Sequence, residues 1–327
     1  LFAKKEQASM CLRGFILALA FVLTSCAAPG VREVTQNTHL PRHHELTGTP
    51  FFPQELYQCG PAALATALNA VNIRVTPEQL TPEVYIPSRQ GSLQIEMLAA
   101  ARRHGALAIQ IAPKLDAVLQ EISVGNVVVV MQNLGLSWTP SWHYAVAVGY
   151  DLDKELIWLR SGTFERFEMT LSAFERTWAR SQHWAFVALP PDKLSASSGS
   201  DAVIKGLLTF ERTAPVNHTR TAYAAAVKRW PDSLVLLMGL GNSSYAAGDL
   251  DGAEKAFRQA AVAHPDSAAA HNNLAHVLLE QGNIKSAMQA AEMAMQLAGE
   301  DEKLKAQISE TINEIRHEIA DKKSSMP

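Results

Sequence analysis

Cys59, in the run Tyr57-Gln58-Cys59-Gly60-Pro61-Ala62-Ala63-Leu64, is the residue best placed to do covalent chemistry. The chain holds three cysteines, and the other two lie in an N-terminal targeting segment. Cys11 opens an apolar run, and Cys26 closes Leu23-Thr24-Ser25-Cys26. Cys59 therefore has no disulfide partner in the processed chain. Gly-Pro followed by an Ala-rich helical pattern puts its thiol at a helix N-terminus, where the positive end of the dipole favours a thiolate. A cysteine nucleophile needs a base and donors for an oxyanion. His143 is the candidate base, opening His-Tyr-Ala-Val-Ala-Val-Gly-Tyr. The first oxyanion donor is the Cys59 backbone N–H. Gln54, five residues upstream, is the candidate second donor. Gln58 competes for that role, but a residue adjacent to the nucleophile usually points away from the reacting face. Together these residues specify acyl transfer.

The surrounding pattern supplies elements to hold them. Pro61–Asn69 reads as a helix with proline near its start. Thr76-Pro77-Glu78-Gln79 is a capping-box start for a second helix. Leu93–His104 is an amphipathic helix stopped by Gly105. Strand signals follow at Ala106–Ile111, Val127–Met131, His143–Tyr150, Leu156–Arg160 and Trp184–Leu189, with helices at Leu115–Ile122 and Leu171–Arg180. A helix carrying the thiol followed by a mostly antiparallel sheet is α+β. On the His143 strand, Ala145, Ala147 and Gly149 share the histidine's face. That small-residue face is expected to receive the Ala-rich Cys59 helix. Trp138, Trp142 and Tyr144 either line a substrate cleft or pack in the core.

Gln54-x4-Cys59-Gly60-Pro61-Ala62, followed by His143 and a Val-Gly-Tyr-Asp strand end, resembles the bacteriocin-processing (double-glycine leader) peptidases and their free-standing relatives. These are papain-like cysteine peptidases, and the resemblance covers about residues 50–190. It implies a papain-like fold, peptide-bond hydrolysis, Cys59 as nucleophile, His143 as general base and acid, and Gln54 in the oxyanion hole. One position departs from that pattern. The family carries an Asp on the strand after the histidine strand. Here the hairpin turn Asp151–Lys154 puts Arg160-Ser161-Gly162 opposite His143, with no acid. Asp151 is too far to substitute, roughly 26 Å along the strand. Ser161 is the residue able to orient the imidazole, although a hydroxyl stabilises an imidazolium less than a carboxylate does. A catalytically degenerate papain-like scaffold therefore stands beside the peptidase, as does amide hydrolysis or transpeptidation at the same site.

Phe15–Leu23 is too short to span a bilayer comfortably and matches a signal-peptide core. Residues 1–25 read as a lipoprotein signal peptide, Cys26 as the lipidation site and residues 26–50 as a tether. The expected location is the bacterial envelope, outer membrane, periplasmic side. Residues 51–190 form the peptidase domain and Ser-rich 191–200 a flexible linker. Thereafter Pro231-Asp232 recurs as Pro265-Asp266, Gly248-Asp249 as Gly282-Asn283, Tyr223 as Phe257 and Ala253 as Ala287, each pair 34 residues apart. That period resembles tetratricopeptide repeats. Residues 201–320 are assigned to such repeats: a degenerate one from about 201 to 233, two clear ones at 234–267 and 268–301, and a charged capping helix from about Glu302. The partners expected are a peptide or protein substrate, a protein bound by the repeats, and the membrane through lipid. A net charge of −3 without a basic run argues against nucleic acid. His43-His44 has no Cys or acid at ligand spacing and reads as a solvated pair, so neither metal nor cofactor is expected.

Overall fold

The computed structural model describes residues 29–36, 39–53 and 58–324. Leu68, Leu64 and the alanines of Cys59–Ala70 make that segment a helix buried along most of its length (α2), preceded by the short helix Pro29–Gln36 (α1) and the strand His43–Glu45 (β1). Proline thus stands inside the first turn of α2, and the thiol itself opens the helix. Pro77–Val84 (α3) follows, with the expected capping box: the Thr76 hydroxyl accepts from Gln79 N–H while the Gln79 side chain accepts from Thr76 N–H. A small hairpin, Tyr85–Ile86 (β2) and Gly91–Ser92 (β3), leads into Gln94–Arg103 (α4).

The main sheet contains Leu107–Gln110 (β4), Val128–Asn133 (β5), Trp142–Asp151 (β6), Leu156–Ser161 (β7), Phe164–Thr170 (β8) and Ala185–Leu189 (β9) in the order β4-β9-β5-β6-β7-β8, all neighbours antiparallel. Leu115–Ser123 (α5) and Leu171–Ala179 (α6) connect its strands. β1 pairs with the far end of β6, His43 opposite Asp151 and Glu45 opposite Gly149. A side chain at Gly149 would collide with the Trp158 ring and with the β1 backbone, so only glycine admits β1 there.

Two cores sandwich the sheet. On one side α2 packs with Tyr144, Val146 and Val148 of β6, Val129, Phe186 and Trp184. On the other, Ala145 and Ala147 meet Val31 and Val34 of α1, Val118 of α5, and Phe174 and Trp178 of α6. The small-residue face of β6 is therefore covered by α1, α5 and α6, not by the cysteine helix. Alternation identifies the two faces of a strand, but not which helix each will meet.

Residues 29–50 are part of the domain where they are described. Val31 and Val34 are fully buried. His43 sits edge-on to Trp158, ring centroids 5.1 Å apart, with Nδ1 3.6 Å from the Asp151 carboxylate. The reading of a polar tether is corrected accordingly, while His43 itself stays exposed to solvent. The Ser-rich linker is also fixed in place. Glu121, fully buried, accepts hydrogen bonds from the Ser195 hydroxyl, from Ser197 N–H and Oγ, and from Asn126 Nδ2, while Arg229 donates to Ser195 O.

Helical hairpins complete the chain: Ser200–Phe210 (α7) with Val216–Arg229 (α8), Leu234–Ala246 (α9) with Leu250–Ala263 (α10), Ala268–Glu280 (α11) with Ile284–Leu297 (α12), and the long Glu302–Ser324 (α13). The repeated glycines Gly248 and Gly282 have φ of +75° and +77°, which favours glycine at these turns. The repeated aromatics Tyr223 and Phe257 lie against Gly239 and Gly241 so closely that a Cβ at either glycine would overlap the ring. Val203, Leu207 and Phe210 of α7 join the same core as Leu107 and Ile109 of β4, so the repeats dock on the sheet. Among the described residues no helix is long and apolar enough to cross a membrane.

Candidate active site

The first N–H groups of a helix have no partner within it. At α2 those of Cys59 and Gly60, together with the backbone N–H of Tyr144, act on the Cys59 sulfur in the sense that favours its thiolate. The orientation of the Tyr144 N–H follows from the β5–β6 hairpin. Ser141 O accepts from Leu134 N–H, so the Ser141 backbone faces β5. Alternation then turns Tyr144 toward the β7 side. β7 has run out at that level, since its pairing with β6 reaches only Val146 opposite Arg160. The unpaired edge of β6 receives the sulfur.

His143 is thus the residue adjacent to the one that holds the thiol. Its Nε2 lies 2.8 Å from Ser161 Oγ, and strand alternation puts it on the face of Ala145 and Gln132, while α2 packs on the Tyr144 face. The β6–β7 turn is centred later than Asp151–Lys154, with Asp151 opposite Leu156, and a bulge between Ala147 and Gly149 brings the register back by one residue. Asp151, at the far end of β6, accepts from the backbone N–H groups of Asp153 and Lys154 and caps the turn. Gln54 and Cys26 lie outside the described residues, and Gln58 is the N-cap of α2 with no side-chain capping bond.

Burial governs the electrostatics of the pair. It pushes the Cys59 thiol above its ordinary pKa, outweighing the N–H groups of Tyr144, Gly60 and Cys59 that favour the thiolate. It also pushes the His143 imidazole below its ordinary value. Both shifts favour the uncharged forms, a thiol at Cys59 and a neutral imidazole at His143.

Several supporting residues escaped sequence reasoning. Arg160, which is buried, donates to Thr49 O at 3.0 Å and to Glu165 O, tying the segment that leads toward α2 to the β7–β8 hairpin. Its signal was an arginine ending an apolar strand. Asn133 Oδ1 accepts from Gly135 N–H and Ser141 N–H, shaping the loop that delivers His143. Gln132, directly across from His143, donates to Thr177 Oγ1 at 2.7 Å. Ser92, on the β2–β3 hairpin, abuts Gly60 so tightly that any side chain there would clash with it.

The three aromatics separate. Tyr144 is core, its hydroxyl donating to Ser92 O, whereas Trp142 is half exposed and Trp138 largely exposed. Trp142 and Tyr144 help line a cavity of about 280 Å³ together with Ser92, the residue that abuts Gly60 of α2. Leu134 and Leu136 add exposed apolar surface on the β5–β6 loop, and Phe164 does so at the start of β8. Among the described residues no cluster of three or more His, Cys, Asp or Glu side chains is arranged to hold a metal ion.

Residues 30–185 match the Peptidase_C39 like family, and residues 220–260 and 238–302 match the tetratricopeptide repeat. No curated protein matches the chain. Among solved structures, a putative C39-like peptidase from Bacillus anthracis is 17% identical, with 47% of this chain and 100% of that one covered and a TM-score of 0.40. A double glycine motif protease from an AMS/PCAT transporter, solved with its leader peptide, is 21% identical over 42% of this chain and 89% of its own, with a TM-score of 0.35. The type III secretion translocator chaperone SycD of Yersinia enterocolitica is 17% identical over 38% of this chain and 89% of its own, with a TM-score of 0.36.

Proposed function

From a chain that carries a Peptidase_C39-like α+β domain followed by tetratricopeptide repeats, we propose a cysteine peptidase anchored in the cell envelope by lipid on Cys26. The observation that carries this reading is a thiol opening the buried helix α2 beside the β6 edge at Tyr144, with the neighbouring His143 engaged through Nε2 by Ser161. In the proposed reaction His143 takes the thiol proton as Sγ attacks a peptide carbonyl. The Cys59 N–H and Gln54 stabilise the oxyanion. The C–N bond then breaks, and His143 returns the proton to the leaving amine. Water, deprotonated by His143, hydrolyses the thioester and releases the second product. Apolar surface from Trp142, Trp138 and Phe164 around the histidine suits the side chains of an extended peptide.

The repeats would recruit a protein substrate or partner, and lipidation would hold both domains at the periplasmic side of the outer membrane. Cleavage profiling of a peptide library by the full chain and its Cys59→Ser variant tests the activity. Products absent from both would refute it. Membrane fractionation of Cys26→Ser tests the anchor, which predicts release into the soluble fraction.

A second reading, a papain-like scaffold without turnover, draws on two observations. The position beside His143 holds Ser161 rather than an acid, and burial raises the Cys59 thiol. A scaffold would keep its cellular role in Cys59→Ser, whereas a peptidase would not.

A further inference from the structure

The cavity lined by Trp142 and Tyr144 does not end there. Gln94, Ser181 and Gln182 line it and also line a second cavity of about 750 Å³ that continues between α4, β4 and α7. The two cavities therefore meet at these three residues, the smaller bounded by Ser92 and Tyr144 and the larger by the first helix of the repeats. That helix approaches closely because Gly206 has no side chain, and even a Cβ would come within 3.1 Å of Ile109. Ala202, Lys205 and Thr209, on one face of α7, supply the far wall. Where the cavities join, the consecutive residues Gln182 and His183 both adopt positive φ, 58° and 54°. Non-glycine residues hold that conformation only under constraint, and such constraint clusters at binding sites.

The far cavity is charged in one sense. Arg102 and Lys205 line it, and no Asp or Glu does. Arg102 donates through Nη2 to Ala108 O at 3.0 Å, but its buried Nε–H has no acceptor among the described residues. A guanidinium keeps its charge at any pH a protein meets, so a buried N–H of this kind is costly until an acceptor arrives. The start of α7 adds to the field. Its N-cap is Gly199, which has no side-chain capping bond, and Ser198 and Gly199 line the cavity. Asp201, in the same turn, is exposed and lies outside the wall.

We infer that the joined cavities are the substrate cleft, and that their far end, built jointly by the peptidase domain and α7, binds a carboxylate of the peptide whose scissile bond lies at Cys59. The carboxylate is an acidic side chain or the peptide's C-terminus. The inference rests on the peptidase reading and gives the repeats a direct part in selecting substrate.

The test is fluorescence anisotropy with full-chain Cys59→Ala and a positional-scanning library of fluorescein-labelled decapeptides. Glu replaces Gln at each position in turn, with the C-terminus free or amidated. One Glu position, or the free C-terminus, should bind about tenfold tighter than its neutral counterpart. The two arms separate side chain from terminus. Lys205→Gln should abolish the preference and Lys205→Glu should reverse it toward a Lys-bearing peptide, with thermal unfolding unchanged because Lys205 is exposed. Absent binding, equal binding of acid and amide, or a preference indifferent to Lys205→Glu would overturn the inference. The readout needs no turnover. An acid preference in a chain that never cleaves would count against the peptidase reading alone, and cleavage without acid preference against this inference alone.

Discussion

Ser161 Oγ stands 2.8 Å from His143 Nε2, in the place where a papain-like site needs a group to orient its imidazole. A hydroxyl fixes the ring but brings no charge, so it stabilises a forming imidazolium weakly. In this account Ser161 is a positioning residue. Ser161→Ala should lower kcat about tenfold with little change in KM, since the ring loses one anchor but not its chemistry. Steady-state kinetics on a cleaved library peptide would check this. An unchanged kcat would remove Ser161 from the site.

Much of this geometry was legible in the sequence. The helix start at Cys59, the His143 strand and the hairpin that returns Ser161 all follow from turn residues and alternation. The 34-residue period located the repeats. What was missed depends on distant partners. The β6 face that meets α2 was misassigned because Ala145 and Tyr144 alternate without saying which layer covers which. Residues 29–50 looked like a tether because Val31 and Val34 are isolated apolar residues whose burial depends on α5 and α6. The 191–200 segment looked flexible because a Ser-rich composition does not show that Glu121, far away in sequence, binds it. The strand Phe164–Thr170 went unread, as its side chains are mostly exposed at the sheet edge.

The uncharged forms of Cys59 and His143 predict a particular pH profile. His143 must be unprotonated to accept the thiol proton, so kcat/KM should rise with pH through a midpoint below that of an ordinary imidazole. Once Cys59 ionises with His143 neutral, the proton needed by the leaving amine is lost. The alkaline fall should therefore come above the ordinary thiol range. The expected result is a broad bell with both limbs displaced outward. A narrow bell, or an acid limb above that of free imidazole, would indicate a charged pair instead.

Glu121 should be the lock on the interdomain segment. Replacing it with Ala removes the shared acceptor of the Ser195 and Ser197 hydroxyls and the Asn126 amide, at about 2–3 kcal/mol. Limited proteolysis of Glu121→Ala should cut within residues 191–200, where the parent chain resists. Chemical denaturation would supply the stability change. Equal resistance in both proteins would contradict the anchoring role.

The repeat packing gives a prediction independent of catalysis. At Gly241 an added methyl would overlap the Phe257 ring, so Gly241→Ala should destabilise the repeats by about 1–3 kcal/mol. Gly248→Ala should be unfavourable for a different reason, its φ of +75° rather than a clash. Thermal unfolding followed by circular dichroism would register both.

The most direct test of the central claim is covalent. The full chain and its His143→Ala variant would be incubated with an epoxysuccinyl peptide and followed by intact mass, with the adduct mapped by peptide digestion. The account predicts one adduct on Cys59, formed at least about a hundredfold more slowly without His143. Equal rates in the two proteins, at the pace of a free thiol, would contradict it and leave Cys59 as packing in a scaffold.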